Sequence, residues 1–176
     1  MVPPPCILVA SFDWSRFTGY CLPSYVPFDI TIYTCNMVIL STIIDEDASI
    51  SIMSSTTWKA LGSPQLVPVT HNMLAFNKGT SQPLGILLKF PITLGGKTIY
   101  IYVMVVQGPL DFNLLLGCDY DYAMGALVSS LFRVICFPHK GWIVTIDQLS
   151  FFGPDVTFGL PSSLLGPYLS VISSPP

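Results

Sequence analysis

The chain has 176 residues, of which 51% are apolar and only 10% charged, and its formal net charge is −3. That length allows one domain with a real core plus tails. The few basic residues (Lys59, Lys78, Lys89, Lys97 and Lys140 among them) are scattered singly, so no cationic stripe exists to neutralise phosphates and a nucleic-acid platform is excluded.

Residues 1–24 carry Pro, Gly and aromatics without a clear period and read as an irregular extension. Val26 to Tyr33 alternates from Phe28 on, which fits a strand. Thr34-Cys35-Asn36 is a turn, and Met37 to Ile44 is a second, β-branched strand that runs into Asp45. An acid at the end of a buried strand lies at the rim of a core, where its pKa can be tuned. The alternation Ile50-Ser51-Ile52-Met53 follows. Ser54 to Gly62 reads as a short helix, with Ser54 as N-cap and Gly62 as C′. Residues 73–84 read as a hairpin whose tip is Asn77-Lys78-Gly79-Thr80. Ile86 to Leu94 and Lys97 to Val106 form the clearest hairpin, because Gly95-Gly96 supplies the positive φ angles of a two-residue loop. Asn113 to Leu116 is a short buried strand closed by Gly117, and 119–128 is a helix candidate. Tyr120-Asp121-Tyr122 within it reads as helix surface. Phe132 to Phe137 and Trp142 to Ile146 form a last hairpin. From 151 to 176, Pro, Gly and Ser dominate as in a tail or linker.

Two segments carry chemistry: Ile43-Ile44-Asp45-Glu46-Asp47-Ala48-Ser49, and later Leu114-Leu115-Leu116-Gly117-Cys118-Asp119. Their order and spacing resemble the retropepsin-like aspartic proteases of retroviruses and retrotransposons. The family motif is an apolar pair, then Asp-Thr/Ser-Gly-Ala, with a later apolar-apolar-Gly-x-Asp/Asn. The resemblance is greatest to the protease segment of plant Ty3-type retrotransposon polyproteins. In those, a segment like Phe137-Pro138-His139-Lys140-Gly141, followed by Ile146-Asp147-Gln148, leads towards the reverse transcriptase.

The resemblance implies an all-β, closed retropepsin-like domain over residues 25–150, with one or two short helices. It makes Asp45 the catalytic aspartate, Glu46, Asp47, Ala48 and Ser49 the active-site loop, and Leu115, Leu116 and Gly117 its support. Phe76, Asn77, Lys78 and Gly79 fall on the flap that covers substrate. The activity implied is endopeptidase cleavage of a polyprotein. That chemistry needs two carboxylates sharing one proton. A chain with one motif supplies one of them, so the working form would be a homodimer. The lean charged surface fits a buried interface.

Glu46 stands where the family has Thr or Ser, and Asp47 where it has Gly. Asp47 brings a Cβ and a charge to a turn that ordinarily carries neither. Two readings therefore stay open: an aspartic endopeptidase, and an inactive pseudo-protease that keeps dimerisation or peptide binding. Asp47 discriminates between them.

Five cysteines lie far apart with no CxxC or Cys/His cluster, so neither a metal nor another cofactor is expected. The odd count, and a start (Met1-Val2-Pro3-Pro4-Pro5) without a basic region, fit reduced thiols in a cytoplasmic or nuclear setting. The longest unbroken apolar run, Ile99 to Val106, is too short to span a bilayer.

Overall fold

The computed structural model describes residues 7–12, 26–69 and 82–148. The chain divides into two compact units, Pro27–Met124 and a second built from Met1–Val26 with Gly125–Pro176.

The first unit is a closed barrel of six strands. In chain order these are β1 (Phe28–Thr34), β2 (Met37–Ile44), β3 (Ser51–Ser54), β4 (Gln82–Leu94), β5 (Lys97–Gln107) and β6 (Leu114–Leu116), and their order around the barrel is β1-β2-β6-β3-β5-β4. Among its described residues the unit also holds two short helices, α1 (Ser55–Ala60) and α2 (Cys118–Met124). The expectation of an all-β closed domain with one or two short helices is met within this unit.

Period-2 patterning drives the barrel. Along β1, Phe28, Ile30 and Ile32 are buried while Tyr33 is exposed. Ile39, Ile92, Val103, Val105, Leu114 and Leu116 on the other strands are buried as well. The turns follow their residues. Cys35 and Asn36 have φ of 46° and 62°, and Gly95 and Gly96 have 54° and 81°. Both are two-residue hairpin loops of the I′ kind, whose twist matches the flanking strands. The β1–β2 hairpin also carries one extra residue on one strand, and the β4–β5 hairpin carries two. The β1–β2 register shifts between Ile30 and Ile32, and the β4–β5 register shifts between Leu87 and Phe90. Ser41 (φ 51°) and Lys89 (φ 52°) adopt the left-handed conformation there, as bulges require.

β4 begins at Gln82, four residues before the strand expected from sequence. Pro83 lies at the second register shift of the β4–β5 pair, where a missing N–H costs no ladder bond. α1 has the expected cap: Ser54 Oγ accepts from Thr57 N at 3.2 Å, and Gly62 follows the C-cap Leu61. The second helix is shorter than the expected 119–128, because Gly125 (φ 64°) turns the chain into β7 (Leu127–Ser129).

The second unit contains a three-stranded sheet, β7-β8-β9, with β8 at Val134–His139 and β9 at Trp142–Asp147. Val134 to Phe137 are buried. Arg133 Nη1 donates to Val26 O at 2.7 Å, and Phe12 stacks on Phe132 with ring centroids 5.0 Å apart.

Candidate active site

The site begins with strand pairing. β2 and β6 run parallel, with Thr42, Ile43 and Ile44 opposite Leu114, Leu115 and Leu116. Both strands stop at the same level, so the residues that follow, Asp45 and Gly117, emerge side by side. Asp45 N donates to Leu116 O at 2.9 Å and secures this end. The motif spacing therefore becomes a spatial pairing, as the sequence implied.

After Asp45 the chain folds into a tight turn. Ala48 N donates to Asp45 O at 3.1 Å, and Asp47 N donates to the Asp45 carboxylate Oδ1 at 3.0 Å. The second bond is an Asx turn, in which a carboxylate accepts the amide two residues on. It orients the Asp45 side chain.

One expectation is corrected here. Asp47 was expected to strain the turn because a Cβ replaces a glycine. Positive φ at described non-glycine positions is confined to Cys35, Asn36, Ser41, Ser63, Lys89, Arg133 and Lys140. Asp47 is outside the left-handed region, and its amide makes the bond that the turn needs. What Asp47 adds to the turn is its charge. The side chains of Glu46, Asp47 and Ser49 are exposed, while Asp45 and Ala48 are partly covered.

Gly117 is fixed by close approach. A Cβ there would lie 2.6 Å from Ala48 O and 2.9 Å from both the carbonyl carbon and the oxygen of Ile50. The loop 45–50 thus lies directly over this glycine. Cys118 N donates to Ala48 O at 2.8 Å and Cys118 Sγ to Ser49 O at 3.7 Å. Leu116 is fully buried beneath and Leu115 partly so.

Ser51 holds the underside of this arrangement. Its hydroxyl donates to Asp119 Oδ1 at 2.7 Å and accepts from Gly117 N at 3.1 Å. Its own amide reaches Asp119 Oδ2 at 3.3 Å, and Tyr120 N donates to Asp119 Oδ1 at 2.9 Å. Asp119 is thereby a supporting acid, tied to the start of α2 and to β3. Sequence reading missed Ser51, because Ile50-Ser51-Ile52-Met53 alternates as if Ser51 faced water. Every residue of β3 is buried instead, since the strand pairs on both sides, with β5 and β6.

Tyr120-Asp121-Tyr122 also requires correction. Tyr122 is exposed, but Tyr120 is fully buried, and both Asp121 carboxylate oxygens are closed off from solvent. Neither Asp121 oxygen nor the Tyr120 hydroxyl has a hydrogen-bond partner among the described residues. Burial first, then the charges of Glu46 and Asp119, push the Asp121 carboxyl up to about 7. Burial, reinforced by Asp121, raises the Tyr120 phenol as well.

The flap residues Phe76, Asn77, Lys78 and Gly79 lie outside the described residues. Among the described residues, no group of three or more His, Cys, Asp or Glu side chains is arranged to hold a metal ion. No described helix is long and apolar enough to cross a membrane. Cys35, Cys118 and Cys136 are free thiols.

The closed barrel, with an Asp-bearing strand end set against Leu-Leu-Gly and a short helix, defines a retropepsin-like aspartic protease fold. One solved structure agrees at the level of the fold. The chain is similar to the retroviral protease-like domain of Ddi1 from Leishmania major, with 18% identity over 64% of this chain and 89% of that one, at a TM-score of 0.54. A retropepsin-like aspartic protease from Rickettsia conorii matches with 18% identity over 57% of this chain and 75% of that one, at a TM-score of 0.44. No family model and no curated protein sequence matches.

Proposed function

We propose that the barrel is one protomer of a homodimeric aspartic endopeptidase, of the kind that processes a retrotransposon polyprotein. The observation that carries this reading is the Asp45 carboxylate, partly covered at a strand end and oriented by the Asp47 amide at 3.0 Å. In the dimer, two such carboxylates share one proton. One takes a proton from water as the water oxygen attacks the scissile carbonyl carbon. The other gives its proton to the carbonyl oxygen, so the tetrahedral intermediate forms without free oxyanion. Collapse of that intermediate passes a proton to the leaving nitrogen. The substrate is a polypeptide, and residues 76–79 supply its cover. Free thiols at Cys35, Cys118 and Cys136 fit a reducing compartment, cytoplasmic or nuclear. The plant Ty3-type origin rests on the motif order and on the segment Phe137 to Gln148.

A second reading has its own observation. Glu46 and Asp47 are exposed beside Asp45, and a two-fold axis through this loop would gather six carboxyl groups. At an effective dielectric of about 20, like charges ~4 Å apart repel by roughly 4 kcal/mol. A pseudo-protease retaining the fold would tolerate those charges by never closing the axis. Hydrolysis of apolar peptides between pH 4 and 7, with pepstatin as inhibitor control, separates the readings. Cleavage lost in Asp45→Asn supports the endopeptidase; no cleavage by the unmodified chain or by Asp47→Gly supports the pseudo-protease.

A further inference from the structure

The chemistry assigned to Asp45 leaves one enclosed acid without a role. Asp121 sits in the first turn of α2, with its amide donating to Gly117 O at 3.3 Å. Both of its carboxylate oxygens are shut off from solvent and unpartnered among the described residues. The start of α2 is zipped to the loop 45–50 through Cys118 N to Ala48 O and Cys118 Sγ to Ser49 O, and the end of β6 just before it through Asp45 N to Leu116 O. That zipper keeps the Asp121 carboxyl within electrostatic reach of Glu46, the residue next to Asp45. The charges that bear on Asp121 are Glu46 from the loop and Asp119 from its own helix, and both are acidic. Tyr120 is its titratable neighbour. Lys97, from β5, directs its ammonium to Met124 O at the opposite end of α2.

We propose that Asp121 and Glu46 form a proton-gated latch: with Asp121 neutral, loop 45–50 stays closed on α2, and loss of that proton drives Glu46 and its loop away. The physical reason is the absence, among the described residues, of any donor for the ionised form. A carboxylate enclosed without hydrogen bonds is costly, and two neighbouring acids add repulsion instead of relief. Relief comes through the part that can move, which is the exposed Glu46 and the six-residue loop that bears it. Burial and the two acids together place the transition near neutrality, at about 7. The Asp45 turn is then formed in acid and loosened above neutral pH. The consequence for catalysis rests on reading Asp45 as the catalytic acid; the latch itself does not.

The test is amide hydrogen exchange and ¹⁵N chemical shifts of the full chain from pH 4.5 to 8.5, with exchange rates corrected for their intrinsic pH dependence. The Ala48 and Cys118 amides are expected to exchange at least tenfold faster above a midpoint near 7. Asp121→Asn removes that transition, and Glu46→Gln lowers its midpoint. Three results overturn the latch: no excess exchange in the unmodified chain, a transition that persists in Asp121→Asn, or an unmoved midpoint in Glu46→Gln. Since Glu46 is exposed, Glu46→Gln decides the matter if Asp121→Asn does not fold. Peptide hydrolysis is not in the readout, so the latch and the protease reading fail separately.

Discussion

Adding one methyl group at Gly117 should dismantle the candidate site. In Gly117→Ala the new Cβ meets Ala48 O at 2.6 Å and the Ile50 carbonyl at 2.9 Å. These are backbone atoms, so no side-chain rotation relieves the contact. Either the loop 45–50 lifts or β6 shifts. Lifting the loop breaks the Cys118 N to Ala48 O bond of 2.8 Å and weakens the Asp45 N to Leu116 O bond of 2.9 Å. Two backbone hydrogen bonds contribute about 1 kcal/mol each, and overpacking adds roughly 1–3 kcal/mol. The expected loss is therefore about 3–5 kcal/mol. Urea denaturation of the two proteins measures it from the midpoints at constant m. Exchange of the Cys118 amide reports whether the loop has lifted. A loss under about 0.5 kcal/mol, a value ordinary for surface changes, with Cys118 still protected, would refute the close-approach argument.

Ser51→Ala leaves the Gly117 amide without its acceptor and takes a donor from Asp119, so a loss of about 2–3 kcal/mol is expected in the same denaturation assay. Asp47→Gly and Asp47→Asn should raise peptide hydrolysis alike, because charge and not backbone strain is the obstacle. Relief of about 1 kcal/mol corresponds to roughly fivefold in rate, and a gain by the glycine variant alone would contradict it. Asp121 has a folded-state pKa near 7, above its ordinary 3.8, so the folded state binds the extra proton between about pH 4 and 7. Its contribution to stability is thus present at low pH and lost as pH rises through that window. Asp29, raised by burial against a lowering bond from the Thr42 backbone, acts with the same sign. Thermal melts across pH 4–8 should fall less steeply in Asp121→Asn than in the unmodified chain, and parallel curves would remove Asp121 from the account.

Much of the barrel is legible in the sequence because its turns and strands obey short-range rules. Gly95-Gly96 and Cys35-Asn36 occupy left-handed positions, and β1 keeps a period of two. The Asp45–Gly117 pairing was legible through motif order alone, since residues so far apart meet only by the parallel pairing of β2 with β6. Ser51 and Asp121 were not legible. Ser51 alternates with apolar residues as a surface position does, yet pairing on both sides of β3 buries it. Asp121 lies between a buried and an exposed tyrosine, and periodicity does not reveal that the loop 45–50 sits near it. The φ of Asp47 was misjudged for a different reason: the motif glycine suggested a backbone need that this turn does not have.

The most direct test of the central claim is the rate of apolar-peptide hydrolysis by the purified chain and by Asp45→Asn, measured with the assembly state by sedimentation at the same concentrations. The account predicts pepstatin-sensitive cleavage that rises with the dimer fraction and vanishes in Asp45→Asn while that variant still dimerises. Cleavage that survives Asp45→Asn, or that belongs to the monomer, would contradict it.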